Sequence, residues 1–426
     1  MRQEQLSLFP EKGNHSKILT IEQLHHEIAG ISKYGRKTAC LEFPDPAINI
    51  PVYINEFWTS KQRAAHSLHE ISYRACFKPQ LPRFFIARLT GESDVVYDPF
   101  MGRGTTVIEA ALLNRVPLGC DINPLSRILT YPRLNLPEIS EVEKRLQSID
   151  LKAPQDIRED LLVFYHPDTL KSITNLREYL LKREEHGEMD HADAWIRMVA
   201  TNRLTGHSSG FFSVYTLPPN QAVSVDSQRK INEKRAQTPP LRDVKAIIMR
   251  KSRSLLRKIK KSEAVLLRRI AEKARLLTSS ADHTPDIRDD TVHLVVTSPP
   301  FLDVVDYQRD NWLRCWFNGI DPGSVNIWHF HKPEDWQEKM TGVFKELKRV
   351  LVPGGCVAFE VGEVRGGKIL LETLAVPAAI KAGLAPEMVI VNSQSFTKTS
   401  NCWGVENLKK GTNTNRIVLL RNPPSG

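Results

Sequence analysis

Short, mainly apolar runs recur along the chain, with longer stretches of helical spacing between them. Asp94-Val95-Val96-Tyr97 runs into a glycine loop, Pro117-Leu118-Gly119-Cys120 into Asp121, and His293-Leu294-Val295-Val296 into Thr297. Later runs occupy 356–361, after the turn Pro353-Gly354-Gly355, then 388–391 and 417–420. Runs that are mainly apolar, rather than apolar at alternate positions, predict strands covered on both faces. Their separation by helices predicts a mostly parallel α/β sheet with helices on both sides.

The same pattern divides the chain. Residues 1–15 read as a flexible N-terminal tail. Residues 16–129 read as a helical lead-in followed by a strand, glycine loop, helix and strand. Residues 130–277 are polar and mainly helical, and strands return in 278–426. The expected architecture is one α/β domain, interrupted by a mainly helical insert and lacking internal repeats. Within the insert, 211–240 reads as a long loop, broken by Leu217-Pro218-Pro219-Asn220 and Thr238-Pro239-Pro240.

A basic stretch follows that loop. Ile247, Ile248, Leu255, Leu256, Ile259, Leu266, Leu267 and Ile270 recur at helical spacing and give it one packing face. Its cations, Arg257, Lys258, Lys260 and Lys261 among them, form either a solvated helix face or a rail for phosphates.

Composition adds limits. Hydrophobic residues at 41% and charged residues at 25% are ordinary for a globular chain. No apolar run is long enough to span a bilayer. Residues 1–30 carry charges where a secretory signal needs an apolar stretch, so a cytoplasmic location is expected. The six cysteines include no CxxC pair, which leaves packed thiols and no zinc site. A formal charge of +10 favours a polyanionic partner.

Candidate chemistry begins at Asp98-Pro99-Phe100-Met101-Gly102-Arg103-Gly104-Thr105-Thr106, where a strand gives way to a helix. Glycines 102 and 104 let the backbone turn sharply and approach a ligand. The pattern alone fits a dinucleotide loop or a tight turn. Two acids change the picture. Asp98 leads the loop, where a carboxylate pairs with an ammonium group and repels a pyrophosphate. Asp121 ends the next strand, placed to hold two ribose hydroxyls. An adenosyl amino acid suits that pair better than a dinucleotide does.

This loop resembles the first motif, DPFxGxGTT, of the amino-methyltransferases that act on DNA. The resemblance implies a class I, Rossmann-like methyltransferase fold and S-adenosylmethionine as cofactor. It implies cofactor contacts from Asp98, Pro99, Phe100, Gly102, Gly104, Thr105 and Asp121. Phe77-Lys78-Pro79-Gln80-Leu81-Pro82 resembles the family segment that closes over the methionine end, which makes Lys78 a candidate contact. Asp282 resembles the acid that meets the adenine amino group, or is a turn residue before His283-Thr284-Pro285.

Thr297-Ser298-Pro299-Pro300-Phe301 resembles the family's catalytic loop, [DNS]PP[YF], in the form associated with cytosine N4. The residue types suit the chemistry. An exocyclic amine delocalises its lone pair into the ring and is a poor nucleophile. Acceptors aimed at its two hydrogens favour the pyramidal geometry in which charge develops. Ser298 Oγ and the Pro299 carbonyl are the expected acceptors. Pro299 and Pro300 stiffen the loop, and Phe301 offers a face on which an extruded base stacks. Direct attack on the sulfonium methyl followed by proton loss to solvent is the expected course, with pre-positioning supplying most of the rate.

Further likeness lies in Phe57-Trp58-Thr59, His66-Ser67-Leu68-His69 and Tyr73-Arg74 before the first loop. Asp306-Tyr307 and Trp312 follow the second. Trp403-Gly404-Val405 and Gly411-Thr412-Asn413-Thr414-Asn415-Arg416 come late in the chain. The cofactor loop precedes the catalytic loop here, whereas many cytosine-N4 enzymes have the reverse order. Adenine N6 in DNA therefore stays open as the target, as does an amino group in RNA. Double-stranded DNA is the expected partner, in a restriction-modification or related marking role. Near the start, Gln5-Leu6-Ser7-Leu8-Phe9 resembles the peptide that docks on the bacterial sliding clamp.

Overall fold

The computed structural model describes residues 18–33, 36–58, 65–73, 76–217, 222–302, 307–393 and 414–424. The peptide Gln5-Leu6-Ser7-Leu8-Phe9 and the run Trp403-Gly404-Val405 lie outside them.

The chain opens with α1 (Ile21–Gly30), the hairpin β1 (Ser32–Lys33) and β2 (Arg36–Lys37), then β3 (Ala39–Glu42) and β4 (Pro51–Asn55). Helix α2 (Gln80–Leu89) leads to β5 (Val95–Asp98), α3 (Thr105–Leu112) and β6 (Val116–Asp121). A helical series follows: α4 (Leu125–Thr130), α5 (Ile139–Ser148), α6 (Pro167–Glu185) and α7 (His191–Thr201). It continues through α8 (Val225–Arg235), α9 (Val244–Leu256) and α10 (Lys261–Ala271) to β7 (Arg275–Thr278) and β8 (Val292–Thr297). After α11 (Tyr307–Phe317) and α12 (Pro333–Val350) come β9 (Leu351–Val361) and the hairpin β10 (Glu363–Val364) and β11 (Ile369–Leu370). Helix α13 (Glu372–Lys381), β12 (Ala385–Ser393) and β13 (Thr414–Arg421) complete the described chain.

The central sheet has the order β3-β4-β12-β13-β9-β8-β5-β6-β7. Strands β9, β8, β5, β6 and β7 pair in parallel, as do β4 and β12. Strand β13 is antiparallel to both its neighbours. From β5 the chain builds outward through β6 and β7, then returns to β8 and β9 on the other side. The order therefore reverses between β5 and β8, the place where open α/β sheets leave a crevice at the carboxyl ends of their strands.

Each apolar run named from the sequence lies in a strand of this sheet. Strand β9 begins earlier than its run. Val292 pairs with Leu351 and Leu294 with Cys356, so the Pro-Gly-Gly turn bulges within the pairing. Strands β3, β4 and β7 were not expected. Every position of β3 is exposed, and β7 falls where the sequence pattern placed the end of the insert.

Helices cover both faces. Trp336, Met340, Phe344 and Leu347 of α12 pack with Val295, Val357 and Phe359 on one side. Leu81, Phe84 and Phe85 of α2 pack with Val96, Leu294 and Val296 on the other. The insert helices join a third cluster, in which Trp195, Ile196, Val199, Ile247, Leu267 and Ile270 meet Val107, Ile108 and Ala111 of α3. Each large side chain fully buried there stabilises the fold by roughly 1.5–3 kcal/mol. The Trp195 indole is satisfied by Ser252 Oγ at 2.9 Å.

Helix α8 corrects the expectation of loop across 211–240. It has no apolar stripe, and Gln228 is its only buried residue. Polar contacts hold it instead. Ser224 caps its first turn, and the Gln228 and Gln237 amides both donate to the Tyr215 carbonyl, at 3.1 and 3.0 Å.

Candidate active site

The loops after β5 and β8 meet at the switch point. Thr106 Oγ1 donates to the Val296 carbonyl at 2.9 Å, and Thr297 Oγ1 donates to Asp98 Oδ1 at 2.6 Å. Residues almost two hundred positions apart are thus locked side by side.

Local geometry explains the glycine loop. Gly102 and Gly104 have φ of +47° and +73°. A Cβ on Gly104 would lie 2.4 Å from Thr130 atoms, so both conformation and space require glycine there. Asp121 holds the loop from the next strand. Its Oδ2 accepts from Gly102 N at 2.9 Å and its Oδ1 from Asn123 N at 2.9 Å.

A cleft opens above these loops, with about 820 Å³ of empty volume. Asp98, Pro99, Phe100, Gly102, Thr105, Asp121, Ser298 and Pro300 line it together. Gly104, Lys78, Asp282, Pro299 and Phe301 do not face it. In place of Lys78, its neighbours Cys76 and Phe77 form that wall. In place of Asp282, Ser280 and Ala281 do so, while the Asp282 carboxylate is held by Lys339 Nζ at 2.5 Å. Phe301 is partly buried against the core beneath α12.

The electrostatics are unusual for a buried site. Asp98 is only 1% exposed, and burial pushes its carboxyl up to about 7 against hydrogen bonds from Thr297 and Phe100 N. Burial also raises Asp121. Among the described residues neither acid has a basic partner, and no Lys or Arg lines the cleft. Two desolvated carboxylates without counterions suit a cationic ligand bearing hydroxyls. Ile122, Phe100 and Trp328 supply an apolar wall, with the Phe100 and Trp328 rings edge to face at 5.9 Å.

The catalytic loop is fixed from beneath. Trp336 Nε1 donates to the Pro300 carbonyl at 2.9 Å, which occupies that acceptor. Ser298 lies next to Glu360, a buried acid on β9 that accepts from Asn415 Nδ2. Glu360 and Trp328 were not singled out from the sequence. The first sits inside an apolar strand run, and the second belongs to a loop with no motif.

The four basic residues fall into two pairs. Arg257 is bonded to Glu70, and Lys258 Nζ donates to the Ala65 carbonyl at 3.0 Å. Lys260 and Lys261 stand exposed at the start of α10. Among the described residues no group of acids, histidines and cysteines could hold a metal ion. No described helix is long and apolar enough to cross a membrane.

Residues 42–126 match the model of the N6_N4_Mtase family, described as DNA methylase. The Type II methyltransferase M.BsoBI of Geobacillus stearothermophilus is 24% identical over 305 residues, covering 63% of this chain and 55% of that protein. M.MvaI of Kocuria varians, also a Type II methyltransferase, is 28% identical over 148 residues, 34% of this chain and 29% of that one. A tRNA (guanine(10)-N2)-dimethyltransferase of Methanocaldococcus jannaschii is 25% identical over 194 residues, 42% of this chain and 53% of that enzyme. The chain thus spans about half the length of M.BsoBI and of the tRNA enzyme, and less of M.MvaI.

Proposed function

We propose that this chain, which belongs to the DNA amino-methyltransferase family, transfers a methyl group from S-adenosylmethionine to an exocyclic amine of a base in DNA, with cytosine N4 as the target. The observation that carries this is the union of the Asp98 loop and the Ser298 loop in one cleft at the switch point.

The residues present fit the cofactor. Lining one cleft, Asp98 suits an ammonium group, Asp121 suits ribose hydroxyls, and Phe100, Ile122 and Trp328 suit an adenine ring. S-adenosylmethionine supplies, when bound, an electrophilic methyl group on a sulfonium. The protein contributes positioning and dehydration. Ser298 Oγ and the Pro299 carbonyl accept from the two amine hydrogens, while Phe301, packed against the core beneath α12, braces the loop instead of stacking on the base. Since Trp336 already occupies the Pro300 carbonyl, Pro299 is the backbone acceptor of choice.

The tRNA guanine-N2 enzyme among the relatives keeps RNA amines in view, and adenine N6 shares the same chemistry. Digesting a methylated product separates the three. N4-methylcytosine from DNA is expected. N6-methyladenine would move the target, a modified tRNA would move the substrate, and no transfer to either nucleic acid would end the assignment. Ser298→Ala should bind cofactor normally and lose about 100-fold or more in rate.

Two contacts outside the cleft complete the reading. Lys260 and Lys261 face the phosphates of double-stranded DNA, flanked by Lys258 and by Arg257, which is bonded to Glu70. Gln5, Leu6, Ser7, Leu8 and Phe9 dock on a bacterial sliding clamp, bringing methylation to newly replicated DNA. A peptide of residues 1–12 titrated against the clamp tests the second contact. Binding no tighter than that of a Leu8→Ala, Phe9→Ala control would remove it.

A further inference from the structure

Three neighbouring interior strands bring three polar side chains together at one end of the sheet. Thr297, the last residue of β8, pairs with Phe359 of β9, which sets Ser298 beside Glu360. On the opposite flank of β9, Glu360 pairs with Ile417 of β13, which brings Asn415 near. Glu360 is 6% exposed, accepts from the Asn415 amide, and its carboxyl lies within the influence of the Ser298 hydroxyl set beside it. Among the described residues no cation is paired with it. A carboxylate buried without a cation costs stability, and nothing in the packing of the sheet requires one here.

Its use follows from the chemistry of serine. A hydroxyl has one hydrogen and two lone pairs, and unlike aspartate it can turn its hydrogen toward a substrate. A hydroxyl hydrogen pointing into the cleft would meet the hydrogens of the amine. A carboxylate behind the serine only accepts, so it draws the hydroxyl hydrogen away and leaves the lone pairs facing the amine.

We propose that Glu360 is the positioning residue of the catalytic loop, holding Ser298 Oγ as an acceptor and taking up the proton that the methylated amine releases. The proposal rests on the role of Ser298 given above. In the step, the N–CH3 bond forms as the S–CH3 bond breaks, leaving a positively charged amine. One N–H proton passes to Ser298 Oγ as the serine's own proton passes to the Glu360 carboxylate. The amine and Glu360 both end neutral, and Glu360 later returns the proton to solvent. Burial raises the Glu360 pKa, which suits a group that must accept a proton.

Single-turnover transfer from tritiated S-adenosylmethionine to unmethylated DNA tests this in four proteins: wild type, Ser298→Ala, Glu360→Gln and the double variant. Glu360→Gln should lower the transfer rate about 100-fold with KM for DNA and cofactor affinity unchanged. In the Ser298→Ala background the same substitution should change the rate less than about threefold, because the serine it serves is gone. An equal loss in both backgrounds would mark Glu360 as merely structural and overturn the proposal. Glu360→Asp guards against misfolding. It keeps a carboxylate and should be faster than Glu360→Gln, and a rate equal to or below that of Gln would also overturn the proposal. If Ser298→Ala alone retained wild-type rate, the function assigned to Ser298 would fail first, and visibly so.

Discussion

The Thr297 hydroxyl donates to Asp98 Oδ1 at 2.6 Å, joining the catalytic loop to the acid that leads the cofactor loop. Thr297→Val keeps the shape and removes the donor, leaving a buried carboxylate short of one bond. Cofactor affinity should fall by about 1–3 kcal/mol, and Thr297→Ser should restore most of it. Titration calorimetry on both variants decides the matter, and equal affinity in the valine variant would make the contact incidental.

Asp98 predicts a pH dependence with opposite signs for folding and for binding. Burial lifts its pKa from 3.8 to about 7, so between those values the folded protein holds a proton that the unfolded chain has released. Its contribution to stability is full below the lower value and lost as pH rises toward about 7. A cationic ligand needs the ionised form, so affinity for S-adenosylmethionine should fall as pH drops below about 7, approaching tenfold per unit. Asp98→Asn should bind weakly at every pH and lose this slope. A wild-type affinity that is level from about pH 5.5 to 7 would remove Asp98 from the cation site.

Asp121 holds the loop and is the proposed partner of the cofactor ribose. Replacing it with alanine should cost about 1–3 kcal/mol of cofactor binding, because its charge-assisted hydrogen bonds to the ribose would no longer form. The Gly102 N–H, now held at 2.9 Å, would lose its acceptor as well. Asp121→Asn retains one acceptor for that N–H and should recover loop stability, read as melting temperature, more than affinity. Unchanged calorimetric binding in the alanine variant would exclude the ribose contact.

The basic residues should separate by salt dependence. Lys260→Glu with Lys261→Glu should flatten the plot of log affinity against log salt by about 0.9 for each DNA phosphate left without its cation. Arg257→Ala should leave the slope nearly unchanged, since its guanidinium is already bonded to Glu70. An exposed pair of that kind also adds little to stability. Equal flattening by both changes would show that Arg257 releases Glu70 on DNA.

Much of this was legible in the sequence because burial on two faces writes itself as mainly apolar runs, such as 293–296. The two loops were legible because their residue types are distinctive, and the fold brings Asp98 and Ser298 to one cleft. Other parts left no such trace. Strand β3 is exposed throughout, so no burial pattern marks it. Helix α8 carries only Val225 and Ile231 as apolar residues, and its Gln228 and Asn232 contacts carry no periodic signal. Glu360 reads as one polar position in a strand until β13 supplies Asn415 beside it. Asp282 matched a family position, yet Lys339 on a distant helix claims its carboxylate.

The cluster shared by Trp195, Ile247 and Leu267 with Val107, Ile108 and Ala111 has a consequence for how such chains diversify. A recognition module joined by linkers can be exchanged as a cassette. Here, exchange would strip apolar cover from α3, the helix that begins at the cofactor loop, so a transplanted insert must bring side chains complementary to that helix. Chimaeras that ignore the seam should lose cooperative melting along with methyl-donor binding, before any change of target sequence could be observed.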